Sequence, residues 1–180
     1  MRLKLKRVVV LGCAGSGKTA FARRLGQATG LPIIDLDQTW QDLRPPGDLA
    51  TFRQTVGEVH AGEGWVSDGN FARATFDLRL PRADLLVWLE QPRWLCAWRA
   101  VRRVLRPGER HRLGDLIKVL RFIASFDRRN RPMIEEERLR HSPAVTVARL
   151  RTDGEIDEFI RKATAGEGDK PPLVSVWRRP

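Results

Sequence analysis

The stretch Gly12-Cys13-Ala14-Gly15-Ser16-Gly17-Lys18-Thr19 constrains this chain more than any other. It has the spacing G-x-x-x-x-G-K-[ST] at every fixed position, the pattern of a loop that wraps a polyphosphate. Such a loop must turn successive backbone N–H groups inward, and glycine tolerates both the dihedrals and the close approach. A helix beginning at the loop adds free N–H groups and its positive dipole end. In this frame Gly12, Ala14, Gly15, Ser16 and Gly17 offer backbone to phosphate. Lys18 reaches the β- and γ-phosphates as a mobile point charge, and the Thr19 hydroxyl is placed to ligate Mg²⁺. The flanks agree. Arg7-Val8-Val9-Val10-Leu11 reads as a buried parallel strand. Phe21, Ala22, Leu25 and Ala28 recur at helical spacing, and Gly30-Leu31-Pro32 closes that helix. Strand, glycine-rich loop and helix in this order predict a site for ATP and Mg²⁺.

With 180 residues, 42% of them hydrophobic, the chain has the size and core of one domain. We expect that domain over 1–165 and a flexible tail over 166–180, whose composition is that of a poorly ordered end. No apolar run approaches the roughly 18 residues of a membrane span. The basic Met1–Arg7 stretch leads into the first strand and does not read as a signal peptide. Cys13 and Cys96 suggest neither a disulfide scaffold nor a metal site. A cytoplasmic monomer or homodimer is the expectation. The net charge of +11 is concentrated: Arg93 to Arg131 holds twelve basic residues against three acids. Of the 33 basic residues 27 are arginines, the residue that favours planar, bidentate contacts to phosphate.

Further along, Pro32-Ile33-Ile34-Asp35-Leu36-Asp37 reads as a second strand ending in two acids on one face. A carboxylate just past the C-terminal end of a parallel strand lies where open α/β sheets bind ligands. Asp37 there either serves the chemistry, by holding Mg²⁺ through water or taking a proton from a hydroxyl, or acts as a helix cap. Trp40, expected in a loop, either stacks on a ring or covers the core. Asp48–Gly62 reads as a helix carrying Arg53. Gly64 to Asn70 reads as a short third strand ending in Asp68-Gly69, an acid that holds the Mg²⁺ shell or orients the nucleophile. Ala83–Leu89 and Ala144–Leu150 read as the fourth and fifth strands. Between them lie an amphipathic helix from Arg93 to Leu105, with Leu95, Trp98, Val101 and Val104 inward, a second over Gly114–Ser125, a break at Arg128–Pro132, and a charged helix over Met133–His141. Trp94, Trp98, Phe122 and Phe126 fall at core spacing. Five strands alternating with helices predict a parallel sheet covered on both faces.

The loop, the Asp68-Gly69-Asn70-Phe71-Ala72-Arg73 stretch and the arginine-rich segment together resemble the adenylate kinase-like branch of P-loop kinases. In detail, Leu36-Asp37 with Trp40, Trp65 through Phe71, and Ala83-Asp84 are similar to the "DNA topology modulation protein" (FlaR-related) group. The likeness runs from about Arg7 to Phe159. It implies a three-layer P-loop NTPase fold with a helical, arginine-rich lid at about 99–131. In nucleotide kinases of that branch an arginine shortly after the Asp-Gly pair grips the acceptor phosphate, which here implies Arg73. The resemblance also implies a nucleotide contact around Arg151. The lid signature is kept loosely in Arg106-Pro107-Gly108-Glu109-Arg110.

These readings converge on a phosphotransferase that moves the ATP γ-phosphoryl to a small, anionic, nucleotide- or nucleoside-like acceptor. Positioning and charge neutralisation carry such chemistry. Lys18, Asp37, Asp68 and Arg103 are the expected catalytic residues. Arg99, Arg110 and Arg151 join the loop in holding nucleotide, and Asp37, Trp40, Arg53, Asp68 and Arg73 surround the acceptor. A hydroxyl acceptor needs an acid as base; a phosphate acceptor does not. The competing class is a nucleotide-binding regulator whose Arg93–Arg131 helices track nucleic acid phosphates.

Overall fold

A computed structural model describes residues 5–43, 46–105 and 113–165. Arg110, the rest of the segment 106–112 and the tail 166–180 lie outside the described residues. The first strand, β1 (Arg7–Gly12), is completely shielded from Val8 to Leu11. Its side chains divide by parity, as strand geometry demands. Val8 and Val10 enter one core cluster, and Val9 and Leu11 the other. The first cluster is closed by α1 (Lys18–Thr29) through Phe21, Ala22 and Leu25, and by α7 (Asp153–Ala165) through Ile156, Phe159 and Ile160.

The remaining strands are β2 (Ile33–Asp35), β3 (Trp65–Asp68), β4 (Leu85–Leu89) and β5 (Thr146–Leu150). All pair in parallel, in the order β2-β3-β1-β4-β5. Register sets Asp35 beside Asp68, Val10 beside Asp68 and Gly12 beside Leu89, so the strands end together along one edge. The chain leaves β1 on one side for β2 and β3 and returns on the other for β4. That switch point opens a crevice at the end of β1, where sheets of this kind bind ligands. The expected α/β, three-layer, five-stranded parallel architecture is the one observed.

Helices α2 (Leu36–Gln41), α3 (Leu49–Val59), α4 (Ala72–Arg79), α5 (Arg93–Val104) and α6 (Leu113–His141) complete the described elements, with a 3₁₀ turn at Leu80–Arg82. Three differ from expectation. Asp35 and Asp37 do not share a strand face. The Asp35 carboxylate accepts the Gln38 N–H at 3.0 Å, capping α2 immediately after β2, so Asp37 sits in the first helical turn. Trp40 is accordingly helical and not in a loop; its ring meets Phe52 edge-on at 5.1 Å.

The expected break at Arg128–Pro132 is absent. Helix α6 runs unbroken for 29 residues with Pro132 inside it. Ile123, Phe126 and Ile134 bury into one cluster on both sides of the proline, and this shared burial outweighs the lost backbone bond. In α5 the inward face is Cys96 and Ala100, whereas Trp94 and Trp98 are 72% and 52% exposed. A Cβ on Gly15 would lie 2.3 Å from the Cys96 carbonyl oxygen, so the backbone of α5 packs directly against the loop there. Both cysteines are buried and free. No described helix is long and apolar enough to cross a membrane.

Candidate active site

The loop between β1 and α1 is shaped by two glycines in the left-handed region, Gly15 (φ 78°) and Gly17 (φ 91°). A side chain at Gly15 would be strained twice over, by its φ and by its contact with α5. Gly17 is the N-cap of α1 and has no side-chain cap, so the first-turn N–H donors are left for an anion. Lys18 Nζ donates to the Cys13 carbonyl at 3.1 Å, folding the ammonium back over the loop. Thr19 Oγ1 donates to Asp68 Oδ2 at 2.7 Å. The loop threonine and the acid at the end of the third strand are therefore in direct contact.

Asp68 is 3% exposed, and its other carboxylate oxygen is buried without a partner. Burial pushes its pKa up, against the Thr19 hydrogen bond and the Lys18 charge that favour the carboxylate. An orphaned carboxylate oxygen beside a threonine hydroxyl is a donor set of the kind a hard divalent cation takes, directly or through water. Ser16 Oγ is likewise buried without a partner. These unmet groups and the uncapped helix start fit a Mg²⁺-bound polyphosphate.

A cavity of about 710 Å³ opens over the loop. Its floor is Ala14, Gly15 and Gly17 to Ala20; Asp37, Asn70 and Phe71 form one wall, and Trp98, Arg99, Arg102, Arg103 and Phe122 the other. Asp37 faces this space, and desolvation lifts its pKa, opposed by Lys18 and helped by Asp35. Arg99 lies beside Gly17 and also pairs with Asp153 at 3.0 Å. Arg102 rests 5.2 Å from the centroid of the Trp98 ring. Neither Arg102 nor Arg103 has an acidic partner among the described residues. One carboxylate and four cations, Lys18 included, thus border one cavity.

Several residues expected at the site lie elsewhere. Arg53 is forked onto Asp77 at 2.6 and 3.0 Å and also bonds the Ala74 carbonyl. With Arg73 it lines a separate depression that includes Glu136, Glu137 and Arg140. Trp40 packs in the small core of Leu36, Phe52 and Val56 and does not line the loop cavity. Arg151 bonds Glu90 at 3.2 Å, in a cluster where Glu90 also meets Arg131 and Arg149. Within the basic segment, Arg93 pairs with Asp127 at 2.6 Å. Part of the positive charge that suggested nucleic acid is therefore matched inside the fold.

Asn70 is the residue that the pattern of the sequence did not single out. Its side chain accepts the Gly12 N–H at 3.2 Å and donates to the Gly12 carbonyl at 2.9 Å. Asn70 directly follows the expected Asp68-Gly69 turn, and a carboxamide is the side chain that pairs with both groups of one peptide residue. Phe71, next in the chain, is the one non-glycine with positive φ among the described residues (30°), and it caps α4.

No protein-family model and no curated protein matches the sequence. Solved structures do match. A shikimate kinase from Acinetobacter baumannii in complex with shikimate is 17% identical and superposes with a TM-score of 0.60, over 93% of this chain and 97% of that one. The chain has the fold of these P-loop kinases. A gluconokinase from Sinorhizobium meliloti 1021 is 22% identical, TM-score 0.54, over 90% and 91% of the two chains. A shikimate kinase from Bacteroides thetaiotaomicron is 18% identical, TM-score 0.56, over 89% and 97%.

Proposed function

We propose that this protein is an ATP-dependent phosphotransferase of the adenylate kinase-like type, acting on the hydroxyl of a small, anionic acceptor. One observation carries the reading: Asp37 borders the same cavity as Lys18 and Thr19. Desolvation raises its pKa, the direction that makes a carboxylate a stronger base. Arg102 and Arg103, lacking acidic partners among the described residues, supply the charge for an anionic acceptor. The fold shared with a shikimate kinase and a gluconokinase lends support to a small-molecule acceptor. The sequence likeness to the topology modulation group is compatible with the same chemistry.

In this mechanism the loop amides and the start of α1 hold the polyphosphate, and Lys18 leaves the Cys13 carbonyl to reach the terminal phosphates. Thr19 and Asp68 would hold Mg²⁺, which supplies charge neutralisation on the phosphate oxygens. Asp37 accepts the proton of the acceptor hydroxyl as its oxygen attacks the γ-phosphorus in line. The bond from phosphorus to the bridging oxygen breaks, and ADP leaves with that electron pair. Arg103 and Arg99 stabilise charge on the transferring group from the α5 wall. The test is Asp37→Asn. It lowers acceptor-dependent turnover by about 10²-fold or more while nucleotide affinity changes by less than about threefold. Unchanged turnover would remove the base role and favour an acceptor that is already anionic at the attacking oxygen.

A further inference from the structure

The turn between β3 and α4 is built around a completely buried cation. Arg79 is 0% exposed and forms no ion pair with a carboxylate among the described residues. Burial lowers its pKa to about 9, so it stays charged at neutral pH. Its donors are distributed with little redundancy. Nε bonds Thr75 Oγ1 at 2.9 Å, one terminal nitrogen bonds Ser67 Oγ at 3.0 Å, and the other bonds the carbonyls of Gly69, at 2.9 Å, and Asn70. Ser67 in turn hydrogen-bonds the ring of His60 at 2.9 Å. A buried arginine without a carboxylate is costly, and here two side-chain hydroxyls and two backbone oxygens of one tight turn occupy its donors.

That turn touches the phosphate loop twice. Asp68, flanked by two residues that Arg79 holds, receives the Thr19 hydroxyl. Asn70, whose carbonyl Arg79 holds, grips both backbone groups of Gly12, the loop's first residue. We infer that Arg79 and Asn70 are positioning residues. The buried guanidinium sets the Gly69-Asn70 turn, and the Asn70 amide fixes where the phosphate loop begins. The inference rests on the proposed nucleotide site, and it assigns to that site a strut outside the loop motif itself. A loop whose origin is fixed loses less freedom when a polyphosphate orders it, so affinity depends on the strut.

The test compares Asn70→Ala with Asp48→Ala, which removes the N-cap of α3, a pair of backbone contacts at 3.0 and 3.3 Å from a residue that does not line the loop cavity. Binding of a fluorescent ADP analogue with Mg²⁺ is measured, together with amide hydrogen exchange over residues 11–17 in the ligand-free protein. Asn70→Ala weakens binding by about tenfold or more and speeds loop exchange by a similar factor, the scale of one or two lost part-buried hydrogen bonds. Asp48→Ala loses comparable thermal stability yet stays within about twofold of the parent in both readouts. Arg79→Lys, which keeps the charge but not the fork, reproduces the Asn70→Ala pattern; if it does not fold, Asn70→Ala decides alone. Parent-like binding and exchange in Asn70→Ala overturn the inference. If the parent itself binds no Mg²⁺-nucleotide, the proposed function fails, and the exchange comparison still decides whether the strut fixes the loop.

Discussion

Lowering the pH from 7.5 to 5 should destabilise this protein through one buried ring. His60 is fully shielded; Nδ1 faces the Val56 carbonyl at 2.7 Å and Nε2 the Ser67 hydroxyl at 2.9 Å. The carbonyl can only accept, so Nδ1 carries the proton and Nε2 receives the hydroxyl's. A second ring proton would collide with a network already fixed by Arg79. Burial, then the charges of Arg79 and Arg82, lowers the ring's pKa to about 4, against the upward pull of the Val56 hydrogen bond. The unfolded chain titrates near the ordinary value of about 6.5. Above that pH neither state is charged at this position and the contribution is complete. As pH falls toward 4 the unfolded chain gains a proton that the folded ring refuses, so stability falls. The linkage relation gives a loss of about 2 kcal/mol at pH 5 and about 3.4 kcal/mol well below pH 4. Urea denaturation at pH 7.5 and pH 5 measures it, with His60→Phe as reference, since phenylalanine keeps a flat ring against Trp65 and cannot titrate. Asp37 and Asp68 titrate in both proteins and cancel in the comparison. The parent should lose about 2 kcal/mol more than the variant, a shift of about 4–8 °C in melting temperature for a chain of this length. Equal losses would refute the reasoning.

Two further outcomes follow from where the arginines lie. Arg103→Ala should lower kcat by about 10²-fold, the scale of one preorganised donor of roughly 3 kcal/mol, while ATP affinity measured by calorimetry changes less than about threefold. Arg53→Ala should leave the acceptor KM within about twofold. Its cost in thermal stability should stay below about 1 kcal/mol, because the Arg53–Asp77 pair is about one-third exposed on both sides. A large rise in KM would return Arg53 to the acceptor site.

The phosphate loop was legible because its spacing is dictated by the ligand's geometry and not by the rest of the fold. The five strands were legible for a similar reason: runs such as Val8–Leu11 and Leu85–Leu89 have few other ways to bury every residue. The pairing of Thr19 with Asp68 was not legible, because it needs β1 and β3 to be neighbours, which only the sheet order supplies. What stayed hidden depends on contacts between distant segments. Helix α6 passes through Pro132 because buried side chains on both sides of it share a core, which local propensity does not express. Trp98 keeps core spacing yet turns outward, because the face of α5 that meets the rest of the fold is the one through Cys96 and Ala100. Arg53 looked available for an anion because Asp77, 24 residues away, is its partner only in three dimensions. Asn70 carries no signature on its own; its role arises when β1 and β3 become neighbours.

The central claim is that one cavity joins a nucleotide to an acceptor. It is tested most directly by measuring ATP consumption by the purified protein with Mg²⁺ against small hydroxylated acids, nucleosides and nucleoside monophosphates, with Lys18→Ala in parallel. Stimulation by one acceptor class, with the phosphoryl group recovered on that acceptor and the signal lost in Lys18→Ala, is the predicted result. Tight ATP binding with no acceptor-dependent turnover across the panel would contradict the account.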